Sequence, residues 1–110
     1  MQSRSVLFVP GHRPDRFGKA LATGADAVVI DLEDAVPPGE KAAARAAALA
    51  RPVPPPGVAL GVRINPLQTA AGIADLAALL AAPPDFLMLP KTEAAEEVRI
   101  VHLWPRSGAP

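Results

Sequence analysis

Four short runs of uninterrupted apolar residues, set apart by stretches of helical patterning, constrain this chain more than any other feature. They are Val6 to Val9, Ala27 to Leu32, Leu60 to Ile64 and Phe86 to Leu89. A strand with one face in water alternates apolar and polar residues. A continuous run predicts a strand covered on both faces, as in a parallel sheet. The intervening segments read as helices. Pro14 to Ala22 opens with Pro, carries Asp15 near its positive end and sets Phe17 and Leu21 four apart, with Gly24 placed to end it. Pro38 to Arg51 begins with Pro and Glu, is filled with Ala and stops at Pro52. Ala71 to Ala82 repeats Ile73, Leu76, Leu79 and Leu80 at helical spacing and ends before Pro83-Pro84. Thr92 to Leu103 is expected to be a fourth helix, with Thr92 as its N-cap. The order is βαβαβαβα.

Alternating strands and helices imply right-handed parallel crossovers, hosted by the doubly wound sheet or the (β/α)8 barrel. The first strand-to-helix turn lacks the GxGxxG pattern of a dinucleotide fold. Polar and charged residues fall at the C-terminal ends of all four strands, the catalytic rim of a barrel. The expected class is therefore α/β, a (β/α)8 TIM barrel. Strands recur about every 27 residues, so a barrel of ~250 residues needs roughly twice this chain. The 110 residues supply about the first four βα units. A weak echo precedes two strands: Gly24-Ala25-Asp26 and Pro83-Pro84-Asp85.

Composition removes several function classes. Eleven Lys and Arg balance eleven Asp and Glu, which leaves no basic field for nucleic acid. Without Cys there is no disulfide framework, zinc-thiolate site or thiol nucleophile. The opening residues lack the long apolar region of a signal peptide, and no window approaches ~18 uninterrupted apolar residues. The expectation is a cytoplasmic chain with no membrane partner.

The chemistry concentrates where strands end. Asp31, Glu33 and Asp34 follow the apolar run Val28-Val29-Ile30 directly. Clustered carboxylates need a cation, hydrogen-bond donors or an Arg partner, and alternation puts Asp31 and Glu33 on one face. They are either a hard-cation site or its surroundings, or else Asp31 pairs with an Arg while Glu33 and Asp34 cap a turn. Arg63 ends the third strand in Val62-Arg63-Ile64-Asn65. It either clamps a substrate carboxylate through two parallel hydrogen bonds or bridges Asp31 or Glu33, and the two can coexist. Asn65 before Pro66 shapes a turn or joins the site. Lys91 ends the fourth strand, as an organising cation or a solvated side chain. Arg13 and Arg16, in a Gly-containing loop at a helix start, are candidate anion contacts, or else face solvent. His12 shows no partner, His102 falls in the last helical pattern, and Trp104 reads as packing.

Together and in this order, these stretches resemble the HpcH/HpaI aldolase and citrate lyase beta-subunit superfamily, in its CitE-like branch. The matching residues are Arg4-Ser5 to Gly11, Pro14, Arg16-Phe17, Lys19-Ala20, Gly24-Ala25-Asp26, Ile30 to Val36, Lys41, Ala44-Arg45, Val62 to Asn65, Asp75-Leu76, Met88 to Lys91 and Glu93. The resemblance covers residues 4 to about 101, the N-terminal half of such a barrel, with residues 102–110 an atypical tail.

This resemblance implies a Mg2+-dependent carbon–carbon lyase acting on an acyl-CoA thioester of the citryl-CoA or malyl-CoA type, in a trimer or hexamer of identical chains. It implies that Arg63 contacts the substrate carboxylate, that Asp31, Glu33 and Asp34 lie at the metal and substrate site, and that Lys91 shares that rim. It places the direct metal ligands, a Glu and an Asp on the fifth and sixth strands, beyond Pro110, so none is expected in this chain. Four parallel strands alone would leave strands one and four with bare edges and the face away from the helices in water. Poor catalysis is the resulting expectation. The alternatives are a non-catalytic remnant or assembly module, and a metal-dependent aldolase on a free 2-oxo acid.

Overall fold

The computed structural model describes residues 5–90 and the backbone of residues 99–102. Strands β1 (Val6–Pro10), β2 (Ala27–Asp31), β3 (Ala59–Arg63) and β4 (Phe86–Leu89) coincide with the four apolar runs to within two residues. They pair in sequence order and in parallel, so each crossover returns the chain to the same end of the sheet.

The first two helical segments each begin as a 3-10 turn at Pro, over Pro14–Arg16 and Pro38–Glu40, and continue as α1 (Phe17–Leu21) and α2 (Lys41–Leu49). Proline fits there because a first-turn N–H has no intrahelical partner to lose. Helix α3 (Ala70–Ala81) starts one residue earlier than expected. The Thr69 hydroxyl accepts the Gly72 N–H at 3.0 Å and supplies the N-cap. Past α1, Gly24 takes a φ of +88°, which a side chain would resist.

The main core lies between the sheet and the helices. Val28, Ile30, Leu32, Leu60, Val62, Ile64, Leu79 and Leu87 are buried there beside Ala44 and Ala48 of α2. Each large aliphatic side chain so buried contributes about 1.5–3 kcal/mol. Small alanines let α2 approach closely.

Three expectations are corrected. The opposite sheet face is not wholly in water, because Val29, Phe86 and Met88 form a second, smaller buried cluster with Ala27 and Ala59 alongside. The reason is local. Phe86 pairs in register with Gly61, and a Cβ at Gly61 would sit 2.3 Å from the Phe86 ring, so the missing side chain lets the ring lie across β3. The β1 side stays open, with Val6 49% and Phe8 44% exposed. Nor is the far edge of β4 bare. Arg99–His102 forms β5, antiparallel to β4, with His102 opposite Phe86. The helix expected over Thr92 to Leu103 therefore does not extend through these residues. Their two central β-branched residues, Ile100 and Val101, suit a strand. The expected N-cap Thr92 and the packing residue Trp104 lie outside the described residues.

The sequence echo has a structural meaning. Asp26 accepts the Ser5 N–H at 2.9 Å and Asp85 accepts the Leu60 N–H at 2.8 Å. In each case an Asp just before a strand ties down the start of the preceding strand.

Candidate functional site

Asp31 and Arg63 are the last residues of β2 and β3 and are register partners. Alternation turns both away from the helices, since their neighbours Ile30, Leu32, Val62 and Ile64 fill the main core. The guanidinium meets the carboxylate at two points, Nε to Oδ1 at 3.0 Å and Nη2 to Oδ2 at 2.7 Å. This is the planar fork geometry that arginine offers and lysine does not. The Phe8 ring of β1 lies under the same guanidinium, 4.9 Å from ring centre to Cζ, and holds it from below.

The chain then wraps Asp31. Its Oδ1 accepts the Glu33 N–H at 2.8 Å, and its Oδ2 accepts the Ala35 N–H at 3.0 Å. Asp31 therefore both pairs with Arg63 and caps the following turn. Glu33 and Asp34 border the cation: Glu33 Oε1 is 3.7 Å from Arg63 Nε and Asp34 Oδ2 is 3.9 Å from Arg63 Nη2. Three carboxylates thus surround one guanidinium.

The electrostatics separate the three acids. Burial pushes the Asp31 carboxyl up, but the Arg63 hydrogen bonds, the two backbone N–H groups and the Arg63 charge together outweigh it and leave it below the ordinary range. Arg63 is correspondingly raised, chiefly by its hydrogen bond to Asp31. Glu33 moves the other way. Burial is the main cause, and the charges of Asp34 and Asp31 add to it against Arg63 and Lys41. At one strand end stand an acid held ionised and an acid whose proton is retained to higher pH.

The remaining candidates behave differently. Asn65 does not face the cluster. Its amide Nδ2 donates to the Leu32 carbonyl at 2.9 Å and to Asp75 Oδ2 at 2.7 Å, and its own N–H donates to Asp75 at 3.0 Å. The strand has ended at Arg63, so alternation no longer governs residue 65, and the turn at Pro66 swings it toward α3. These bonds make it a structural tie at the turn, the first of the two roles left open for it by the sequence. Arg13 grips Asp15 at 3.1 and 3.0 Å within its own exposed loop. Arg16 borders an open groove of about 330 Å³ beside β1, with Leu7, Phe8 and Lys19. Among the described residues neither arginine contacts Asp31, Glu33 or Asp34. His12 carries a buried Nδ1 without a hydrogen-bond partner among the described residues. Lys91 lies outside the described residues.

Lys41, Arg45 and Asp75 had matched the family pattern without a role. Lys41 Nζ donates to the carbonyls of Leu32, Glu33 and Val36, and Arg45 Nε pairs with the fully buried Asp75 at 2.8 Å. A signal was present. Helix α2 has only two charged residues, four apart, on the same side as buried Ala44 and Ala48, while Ala42, Ala43 and Ala46 face solvent. Charge on the inward side of an alanine helix marks an internal task.

The metal implied by the resemblance does not fit these residues alone. Among the described residues no group of three or more His, Cys, Asp or Glu could hold an ion. Both Asp31 oxygens already accept two hydrogen bonds each.

Four parallel strands in sequence order, with charge gathered at their C-terminal ends, define part of a TIM-barrel α/β enzyme fold. The profile of the HpcH/HpaI aldolase/citrate lyase family matches residues 4–106, and the chain belongs to that family. It is 45% identical over 100 residues to a citrate lyase subunit beta-like protein of Mycobacterium tuberculosis, covering 91% of this chain and 35% of that one. It is 38% identical to a (3S)-malyl-CoA thioesterase of Cereibacter sphaeroides, over 89% of this chain and 35% of that one. Its structure superposes on the M. tuberculosis protein CitE in complex with magnesium, acetoacetate and coenzyme A with a TM-score of 0.70 and 44% identity, over 83% of this chain and 33% of that chain. The chain thus spans about a third of the length of these relatives. Among the described residues no helix is long and apolar enough to cross a membrane.

Proposed function

We propose that this chain carries the carboxylate-recognising part of a carbon–carbon lyase that acts on an acyl-CoA thioester of the citryl-CoA or malyl-CoA type. The observation that carries the reading is the two-point Arg63–Asp31 pair at adjacent strand ends, ringed by Glu33 and Asp34. Arg63 is pre-oriented by Asp31 and Phe8, so an incoming carboxylate meets a fixed cation and little side-chain entropy is lost on binding. Asp31 holds its charge, while Glu33 is the acid whose proton is more firmly retained. The magnesium, acetoacetate and coenzyme A held by the M. tuberculosis CitE structure, and the name of the (3S)-malyl-CoA thioesterase, support the substrate class. The magnesium such a lyase uses needs ligands that the described residues do not supply, so we expect ligand binding with little turnover. A cytoplasmic setting and assembly of identical chains belong to the same reading.

The test is a titration of the 110-residue chain with oxaloacetate, with and without magnesium, beside an assay of malyl-CoA cleavage. Saturable binding that Arg63→Met abolishes supports the proposal. Binding indifferent to Arg63 refutes the carboxylate role, and turnover at an ordinary enzyme rate of ~10 per second refutes the expectation of a weak catalyst. The lack of a metal-ligand group among the described residues also favours a second reading, a non-catalytic assembly module, which no oxaloacetate binding and no turnover would support. Preference for free 2-oxo acids over CoA thioesters would place the chain on the aldolase side of the family.

A further inference from the structure

We propose that Lys41 is the positioning residue of the acidic turn, setting where Glu33 and Asp34 stand relative to Arg63 without touching the ligand itself. The proposal rests on reading that strand end as a ligand site. The backbone of residues 32–36 is held from two sides by opposite charges. On one side Asp31 accepts the N–H groups of Glu33 and Ala35 at 2.8 and 3.0 Å. On the other, the Lys41 ammonium donates to the carbonyls of Leu32, Glu33 and Val36 at 3.1, 2.9 and 3.1 Å. An ammonium has three N–H bonds and no acceptor, and here all three are directed at one turn.

Two further ties fix the same turn. The Leu32 carbonyl also accepts from Asn65 Nδ2, and Asn65 is anchored by Asp75, itself paired with Arg45 one helical turn beyond Lys41. The Glu33 carbonyl also accepts the Val36 N–H at 3.2 Å. The turn is therefore held through its backbone, and the carboxylates of Glu33 and Asp34 take no part in holding it. Among the described residues they keep only their longer contacts to Arg63. Lys41 also bears on Glu33 through charge, since it opposes the effects of burial, Asp34 and Asp31 on that carboxyl.

A merely stabilising lysine and a positioning lysine differ in what their loss moves. We would measure amide exchange and the Glu33 titration by NMR in the full 110-residue chain for wild type, Lys41→Met and Lys41→Arg. Losing hydrogen bonds to a charged group should speed exchange at Glu33, Ala35 and Val36 by about ten-fold or more, with Val29 and Val62 unchanged. The Glu33 titration should move further up in Lys41→Met. In Lys41→Arg it should stay near wild type, because the charge is kept, while exchange still rises, because the longer side chain and planar fork of a guanidinium do not reproduce three bonds converging from a single nitrogen. Exchange in Lys41→Met that matches wild type, or that rises equally across the sheet, overturns the proposal. Should Lys41→Met not fold, Lys41→Arg decides it by the same comparison. Oxaloacetate binding is followed in parallel. Wild type that fails to bind sinks the ligand-site reading, whereas the exchange and titration results judge Lys41 independently of it.

Discussion

Arg63 and Asp31 close adjacent parallel strands as register partners, and the guanidinium of one spans both oxygens of the other. A carboxylate buried to 2% exposure tolerates its charge because this cation and two backbone N–H groups meet it. Arg63→Met leaves Asp31 buried with the N–H groups alone. Removing one partner of such a pair costs about 3 kcal/mol, to be read from urea unfolding. A double-mutant cycle with Asp31→Asn should return a coupling of at least ~1 kcal/mol. Additive losses would show that the two residues act separately.

Asp31 and Glu33 impose opposite slopes on stability against pH. The folded-state pKa of Asp31 is depressed, so its contribution is complete above the unfolded value of about 3.9 and is lost as pH falls through the lower folded value. Glu33 is raised, so its contribution is present below the unfolded value of about 4.3 and is lost as pH rises through the higher folded value. Asp31→Asn should flatten the loss of stability on the acid side. Glu33→Gln should remove a decline above that unfolded Glu value. Chemical unfolding at a series of pH values checks both, and identical slopes in wild type and variant would contradict the assignment.

Gly61 gives space to the Phe86 ring. An added Cβ would lie 2.3 to 2.6 Å from three ring atoms, so Gly61→Ala must displace a buried aromatic. Overpacking of this kind costs about 1–3 kcal/mol. Gly61→Ala combined with Phe86→Leu should recover part of the loss, as thermal unfolding would show.

Thr69 caps α3 by accepting the Gly72 N–H, while its hydroxyl donates to the Pro66 carbonyl at 2.6 Å. Thr69→Ala should lower stability by about 1 kcal/mol, and Thr69→Ser by clearly less.

Among the described residues β1 pairs with β2 on one side only, and Val6, Leu7 and Phe8 are the exposed large apolar residues along it. Open apolar edges invite association. Leu7→Lys, which leaves the Arg63–Phe8 contact untouched, should shift sedimentation toward the monomer. Unchanged sedimentation would place any self-association elsewhere.

How legible the molecule was depended on how local each cause is. β1 to β4 could be read directly, because a strand buried on both faces must be written as an unbroken apolar run. The helix starts at Pro14 and Pro38 are equally local, since proline's missing N–H and restricted φ act within one turn. The gathering of Asp31, Glu33, Asp34 and Arg63 at one end followed from strand polarity and side-chain alternation. Three other features depended on partners distant in the chain. Asn65 was drawn away by Asp75, ten residues on. The Phe86 ring found its space at Gly61. Arg99–His102 joined the sheet because β4 offered an unpaired edge, a choice that helix propensity cannot foresee. The division is physical: periodicity and backbone restriction are properties of neighbouring residues, whereas the destination of a hydrogen bond or an aromatic ring depends on which groups the folded chain brings within a few ångströms.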